Sequence, residues 1–171
     1  MANDPGNGQG NWSHLLWGVG GTMIGAALAR SQMEQERKSR AELDDPEQAE
    51  DVYEEIGDLL EHWEPEEGYL SEEDMTESLA EYLAENSDWE IQLYQNTPEG
   101  KPDILIGDLL AIELKLNPSK NEINRCIGQC SGYSRLWMTW MVIVGAGANR
   151  IGRLRDLLAD KGLDQIEVWD Y

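Results

Sequence analysis

The chain has 171 residues, of which 34 are acidic and 13 are basic, and its formal net charge is −21 at pH 7. This length suffices for one domain with a hydrophobic core plus an appendage, and so strong a negative charge argues against a nucleic acid as partner until the charge is mapped along the chain. An acid excess with few lysines is typical of halophilic proteins from a salt-saturated cytoplasm, where screening removes self-repulsion, although an acidic mesophilic protein is the alternative.

The first 44 residues precede any predicted globular domain. Residues 1–11 are rich in Gly and Asn and are predicted to be disordered. Residues 12–29 carry no formal charge if the one histidine is neutral, and they would form about 27 Å of helix, slightly less than the roughly 30 Å hydrocarbon core of a bilayer. We interpret residues 12–44 as a helix and linker. The helix is either a membrane anchor that leaves the C-terminal domain in the cytoplasm, because basic residues follow it, or a soluble helix that oligomerises or is loosely ordered. Its stripe of small residues would let two such helices touch closely in a homodimer.

Residues 45–70 predict an acidic helix that begins at Pro46 and ends near Pro65. One face of it is apolar and the other is almost entirely carboxylate, so it should pack on the rest of the protein through one stripe. The predicted stripe consists of Val52, Ile56, Leu59, Leu60 and Trp63. We interpret the carboxylate face as a solubilising surface. A shield over the following domain, or a mimic of a phosphate backbone that binds a basic partner, is the alternative.

Residues 71–171 predict a single α/β domain in which a mixed sheet is flanked by helices. A capping box at Ser71 starts the first helix, and two short apolar runs between Lys101 and Leu116 read as adjacent buried strands. The other predicted elements are the helix Ser71–Asn86, the strand Trp89–Gln95, a helix over residues 121–137, the strand Thr139–Val144, a helix ending near Lys161 and the strand Ile166–Trp169.

The turn between the two central strands decides which side chains meet. With a two-residue loop, Asp103 would lie opposite Ile112, on the wrong face of the sheet. With a three-residue loop, Asp103 lies across from Glu113, and Cβ atoms in such a pair are roughly 4.5–5.5 Å apart, close enough for two carboxylates to share a divalent cation. Glu113 and Lys115 leave the same face of one strand. The sequence therefore predicts the three-residue turn.

These residues resemble the signature of the PD-(D/E)xK nuclease superfamily. Pro102-Asp103 is followed on the next strand by Glu113-Leu114-Lys115, and Gln129 to Tyr133 resembles the QxxxY element of its RecB-like branch. The resemblance covers roughly residues 71–171. It implies a restriction-endonuclease-like αβββαβ core, to which the N-terminal helices would be an extension.

The resemblance also implies a site and a reaction. Asp103, Glu113 and the backbone carbonyl of Leu114 would hold Mg²⁺ or Mn²⁺, and Lys115 would orient or deprotonate the attacking water. The alternative is that the side chains of Asp103, Glu113 and Lys115 form only a mutual ion network. The family's first helix often adds a glutamate. Here Glu72 fits by helical phase and Glu77 fits by distance to the next strand, so both remain candidates.

A helical flank is the expected location of the QxxxY element. Gln129 and Tyr133 are four residues apart and so lie on one side of a helix. We expect this flank to overhang the carboxylate edge of the sheet, where Gln129 would hydrogen-bond the catalytic strand and Tyr133 would touch a sugar-phosphate. The alternative is a surface amide and a half-buried tyrosine.

Basic residues are concentrated where this site is predicted. Residues 41–100 hold 22 acidic and no basic side chains, whereas residues 101–155 hold eight basic and four acidic ones, a local charge of +4. Such a surface suits phosphate binding, although scattered arginines on solvated helices are the alternative. The candidates for contact with nucleic acid are Lys101, Lys120, Arg125 and Arg135.

The sequence thus predicts a Mg²⁺-dependent deoxyribonuclease, an endonuclease or exonuclease acting in recombination, repair or defence. The alternative is a catalytically silent nuclease-fold protein that serves as a scaffold or interaction module, tethered to a membrane if the N-terminal helix is an anchor. Cys126 and Cys130 are interpreted as small core residues in a reducing compartment. Two cysteines do not supply the four ligands of an iron–sulfur cluster, so none is predicted.

Overall fold

The structure is a computed structural model that describes residues 46–65, 68 and 71–171. The predictions for residues 1–44, including the candidate anchor at 12–29, lie outside the described residues. Among the helices that are described, none has both the length and the apolar character needed to cross a membrane.

The described residues form a mixed α/β fold with four helices and five strands. The helices are α1 (Pro46–His62), α2 (Glu72–Asn86), α3 (Lys120–Tyr133) and α4 (Ala148–Asp160). The strands are β1 (Ile91–Leu93), β2 (Ile104–Ile106), β3 (Leu110–Leu116), β4 (Met138–Val144) and β5 (Glu167–Asp170). From α2 onward the elements follow the predicted order.

The strands form one sheet in the order β1-β2-β3-β4-β5. The pairs β1–β2 and β2–β3 are antiparallel, whereas the pairs β3–β4 and β4–β5 are parallel. Each parallel pair is joined through a helix, α3 or α4, and right-handed crossovers made in the same direction put both helices on one face. The carboxyl ends of β3 and β4 and the starts of α3 and α4 therefore lie at the same edge of the sheet.

Each face of the sheet has its own core. On one face, α1 and α2 pack against alternate residues of the central strands, including Ile112, Leu114 and Val142. On the other face, α3 and α4 cover Met141 and Ile143. Because both faces are covered, β4 is apolar at nearly every position, as the run TWMVIV predicts.

The acidic helix α1 shares its core with the domain that follows. Val52, Ile56 and Leu60 are fully buried and Trp63 is nearly so, in the same cluster as residues of α2 and the sheet. The predicted apolar stripe is confirmed, and the remaining member, Leu59, is half-buried against that core. Tyr171 at the end of the described chain donates a hydrogen bond of 2.5 Å to the carbonyl of Leu60.

Two predicted boundaries differ from the observed ones. β1 is three residues long, not seven, because Tyr94 takes a left-handed conformation with φ of 52° and ends the extended run. Helix α3 ends at Tyr133. The next four residues form turns that bring Trp137 into a small core with Tyr133 and with residues of β2 and β3. The predicted ends of α2 and α4 are confirmed to within one or two residues, with Ser71 as N-cap and Gly162 at φ of 66° after α4.

Candidate functional site

The turn between β2 and β3 has three residues. Ile106 pairs with Leu110, which confirms the predicted register. Gly107 and Asp108 both have positive φ, near 57° and 56°, and the Leu109 amide donates to the Ile106 carbonyl at 2.9 Å. This register carries Asp103, just before β2, to the position across from Glu113 on β3.

The C-terminal half of β3 has a strand neighbour on one side only. β2 starts at Ile104, so beyond that point the amides on the other edge of β3 face two carboxylates. The amide of Leu114 donates to Asp103 Oδ2 at 2.8 Å, and the amide of Leu116 donates to Glu72 Oε2 at 3.3 Å. We call this the carboxylate-capped edge of β3. It brings Glu72 of α2 and Asp103, which precedes β2, to one place.

The ammonium group of Lys115 lies at the centre of these groups. Its Nζ is 2.8 Å from Glu72 Oε1, 3.1 Å from Glu113 Oε1 and 3.5 Å from Asp103 Oδ2. It also donates to the Leu114 carbonyl at 2.5 Å. The predicted convergence of Asp103, Glu113 and Lys115 is therefore present in the structure, with Glu72 as a further member. We call these four side chains the Lys115 cluster.

Glu113 is the most deeply buried acid of the cluster. The residue is 1 % exposed, and its Oε2 has no hydrogen-bond partner among the described residues. Burial raises the pKa of Glu113 to about 7, and the nearby Asp103 charge adds to the effect while Lys115 opposes it. A carboxylate with one free buried oxygen is costly to keep ionised, and a buried acid whose pKa is raised in this way is a candidate functional residue.

Charge coupling within the cluster also affects its other members. Burial raises the pKa of Asp103, against the opposing effects of Lys115 and of the Leu114 amide. Burial alone would lower the pKa of Lys115, but the charges of Asp103, Glu113 and Glu72 outweigh it and raise that pKa. These neighbouring charges therefore favour the protonated form of Lys115.

The raised pKa of Glu113 predicts a pH-dependent stability. Between its ordinary pKa of 4.5 and the folded value of about 7, the folded protein keeps a proton that the unfolded chain loses. The free energy of unfolding should therefore fall as pH rises through this window and level off above it. Relative to Glu113→Gln, the wild type should lose about 2–3 kcal/mol between pH 5 and pH 8, measured by urea unfolding in chelator. Parallel curves for the two proteins would show that Glu113 ionises normally.

The structure separates the two candidate glutamates of the first helix. Glu72, the first residue of α2, contacts both Lys115 and the Leu116 amide. Glu77 lies one and a half turns further along and is exposed to solvent. Helical phase was the better criterion, because the first turn of α2 passes beside the end of β3.

Gln129 and Tyr133 lie on α3 over the face of the sheet that carries Glu113. Tyr133 is 1 % exposed and packs with Leu105 and Trp137, so its ring does not reach solvent, contrary to the expected contact with a sugar-phosphate. Burial, and then the Glu113 charge, raises the pKa of Tyr133. Gln129 is half-buried, and its Oε1 has no hydrogen-bond partner within the described chain, including the β3 backbone.

An open cleft of about 360 Å³ borders the Lys115 cluster at Glu72 and Asp103. Its lining residues come from the start of α2, from the end of β1 and from the segment before β2. They are Ser71, Glu72, Glu73, Thr76, Tyr94, Lys101 and Asp103. Lys101 is exposed, with Nζ 4.9 Å from the centre of the Tyr94 ring. Of the four predicted nucleic-acid contacts, Lys101 is thus the one at the mouth of this cleft.

The other three predicted contacts are dispersed. Lys120 and Arg125 are exposed on α3, and Arg135 is exposed after it, 3.7 Å from Glu99. Sequence reasoning did not select Arg150 and Arg153, which lie near Lys120 across a groove between α3 and α4. The sequence did contain a signal for them: the two arginines are three residues apart, at the start of a helix that follows a parallel strand.

The donor set of the Lys115 cluster suits a hard divalent cation. All its potential ligands are oxygens, which Mg²⁺ and Mn²⁺ prefer, and Glu113 Oε2 is unused. Within residues 46–65, 68 and 71–171, however, no three acidic, histidine or cysteine side chains are arranged to hold a metal ion. The ammonium of Lys115 lies among the carboxylates, so a cation would have to replace it.

Comparison with known proteins identifies no matching family model, no matching curated protein and no matching solved structure.

Proposed function

We propose that this protein is a Mg²⁺-dependent nuclease that hydrolyses phosphodiester bonds in DNA, with the Lys115 cluster as its active site. One observation carries the proposal. The carboxylates of Glu72, Asp103 and Glu113 all lie within 3.5 Å of the buried ammonium of Lys115, although their own side chains range from 40 % exposed in Glu72 to 2 % in Glu113.

The formal charge of this cluster is unusual for a structural ion network. Three carboxylates at −1 and one ammonium at +1 leave −2 when all are ionised. Buried charges that serve only stability are normally paired, because each unpaired ion costs several kcal/mol. The cluster therefore carries more negative charge than its own ammonium neutralises, and a divalent cation that displaced the ammonium would offset two of the three carboxylate charges.

The chain's own residues supply the other requirements of phosphodiester hydrolysis. Asp103, Glu113 and the Leu114 carbonyl would hold Mg²⁺ or Mn²⁺, with Glu72 beside them. The bound cation would neutralise charge at the scissile phosphate and acidify a water molecule. Lys115, anchored next to Glu113 on β3, would hold that water by its ammonium. Gln129 and Tyr133 would support Glu113 from α3 without touching the substrate.

The order of elements gives further support. From α2 to β4 the chain runs helix, three strands, helix, strand, which is the αβββαβ order that the resemblance to the PD-(D/E)xK superfamily implies, and α4 and β5 follow it. The acidic pair lies where that superfamily carries its signature, at the start of one central strand and within the next. We include a restriction-endonuclease-like fold, of the RecB-like branch, in the proposal.

The experiment is a cleavage assay on full-length protein with labelled duplex and single-stranded DNA, in Mg²⁺, Mn²⁺ or chelator, at low and at multimolar salt. We expect cleavage that requires the divalent cation. Glu72→Gln should lower the rate about 10- to 100-fold, the usual effect of a group that supports a metal site. Glu77→Gln removes the same charge from the same helix at an exposed position and should cleave like the wild type.

Two results would contradict the proposal in different ways. Absence of cleavage under every condition would remove the nuclease function and favour the silent scaffold. Equal rates for Glu72→Gln and Glu77→Gln, in a protein that does cleave, would remove Glu72 from the site while leaving the function in place.

A further inference from the structure

A groove between α3 and α4 concentrates positive charge in this acidic protein. A cleft of about 300 Å³ lies at the end of the groove where both helices begin. Its rim carries the three cations Lys120, Arg150 and Arg153, and its floor is formed by apolar residues of both helices. The groove lies across α3 and α4, which cover one face of the sheet, whereas the cleft of the Lys115 cluster is lined by the start of α2.

These three cations have no carboxylate partner within the part of the chain that the structure describes. Other cations there do have one, such as Arg135 with Glu99 and Arg155 with Asp170. Glu122, the acid nearest in sequence to Lys120, instead accepts a hydrogen bond from the Ser119 amide at 2.7 Å. In a chain with 34 acidic and 13 basic residues, three unpaired cations on one cleft are a departure from the overall charge.

One of these cations is already held in place. Arg150 Nη1 donates to the Pro118 carbonyl at 2.6 Å, which fixes the guanidinium across the gap between the two helices. A guanidinium has five N–H donors, so four remain for another acceptor. A positioned guanidinium with spare donors matches the oxygens of a phosphate group, to which it binds by paired hydrogen bonds.

The cleft and the Lys115 cluster lie at the same edge of the sheet. Lys120 follows Lys115 by five residues, and α4 begins four residues after β4 ends. The carboxyl ends of parallel strands are the usual location for ligands in open α/β sheets. A chain of phosphates that leaves the cluster past the end of β3 would therefore meet Lys120 and then the arginines of α4.

We infer that the cleft between α3 and α4 binds the phosphodiester backbone of the nucleic acid next to the bond that is cut, an assignment that rests on the proposed nuclease function. Lys120 and Arg153 contact phosphate oxygens directly, and Arg150 does so while it keeps its bond to Pro118. These contacts depend on the phosphate charge and do not distinguish one base from another. They explain how a protein of net charge −21 holds a polyanion: α1 and α2 carry many acidic residues and no lysine or arginine, whereas the phosphates meet the three cations of the cleft.

The test compares three single variants of the full chain. Lys120→Gln and Arg153→Gln each remove one charge from the cleft. Lys161→Gln removes one charge at the opposite end of α4, about 12 Å from Arg153 along the helix. Affinity for labelled single-stranded and duplex DNA of equal length is measured without divalent cation over a range of salt concentrations, and cleavage is measured with Mg²⁺.

Each cleft variant should weaken binding about two- to fivefold at low salt, as expected for one solvent-exposed ionic contact. It should also reduce the slope of log K against log [salt] by about 0.9 for duplex and about 0.7 for single strands. Lys161→Gln should do neither. The form of DNA that shows the full change in slope is the one that occupies the cleft.

The outcomes separate this inference from the proposed function. If the wild type cleaves DNA but the cleft variants bind like Lys161→Gln, the inference is overturned and the function stands. If nothing is cleaved but only the cleft variants lose affinity, the cleft binds nucleic acid and the nuclease function is wrong. Cleft variants that change the oligomeric state and leave DNA binding intact would assign the cleft to an acidic protein surface and overturn the inference.

Discussion

Replacing Lys115 with methionine should abolish cleavage and, at the same time, strengthen the binding of Mn²⁺. The ammonium of Lys115 contacts all three carboxylates of the cluster, and it occupies the space a divalent cation would need. Methionine keeps the length and the apolar stem of the side chain but removes the competing charge. We expect Mn²⁺ to bind at least about tenfold more tightly, and the rate to fall by about 10²–10⁴, the usual contribution of a group that acts on the attacking water.

Calorimetric titration with Mn²⁺ at pH 8, where Glu113 is ionised more fully, measures the first effect. Lys101→Met is the matched control, because Lys101 is an exposed cation on the same cleft and, within the described part of the chain, forms no ion pair with the carboxylates of the cluster. It should change Mn²⁺ affinity far less. Weaker Mn²⁺ binding by Lys115→Met would show that the lysine helps to hold the cation rather than competing with it.

Asp103 should have two roles that different substitutions can separate. Asp103→Asn removes the charge but keeps an oxygen that can accept the hydrogen bond of the Leu114 amide, now 2.8 Å from Oδ2. Asp103→Ala removes both. If Asp103 is a metal ligand, both variants should lose cleavage by about 10²–10³, which is the scale of a lost electrostatic contact in a transition state.

Stability should distinguish the two variants where activity does not. Asp103→Ala leaves the Leu114 amide without its partner and should lower the free energy of unfolding by about 1–3 kcal/mol. Asp103→Asn should lie close to the wild type. Amide hydrogen exchange at Leu114 reports the bond directly and should be fast only in the alanine variant. Full activity in Asp103→Asn would make Asp103 a purely structural group and remove it from the proposed metal site.

The arrangement of the central strands could be predicted because few alternatives were compatible with the sequence. A two-residue turn would have put Asp103 on the face opposite Glu113, whereas the three-residue turn pairs Ile106 with Leu110 as observed. The spacing of two between Glu113 and Lys115 then fixed their common face. The apolar stripes of α1 and α2 were equally constrained, since only one side of each helix can be buried.

Other features depended on contacts that are distant in sequence. The choice between Glu72 and Glu77 required the position of α2 beside the end of β3. The burial of Tyr133 depends on Leu105 and Trp137, which lie on β2 and beyond the end of α3. The sequence predicted that Lys115 leaves the same face as Glu113 but not that its ammonium contacts three carboxylates, because a strand pattern gives the face of a side chain but not the rotamer of a long one.

The carboxylate-capped edge of β3 has a consequence for solubility. An uncovered strand edge presents free amides to which an extended segment of another molecule can add, which is a common first step of aggregation. Here Asp103 and Glu72 accept the bonds of the Leu114 and Leu116 amides at that edge. The same acids that are proposed to bind the cation would therefore also prevent strand addition by a second molecule. Variants that lose both acids should consequently precipitate on storage, even where their folded cores are intact.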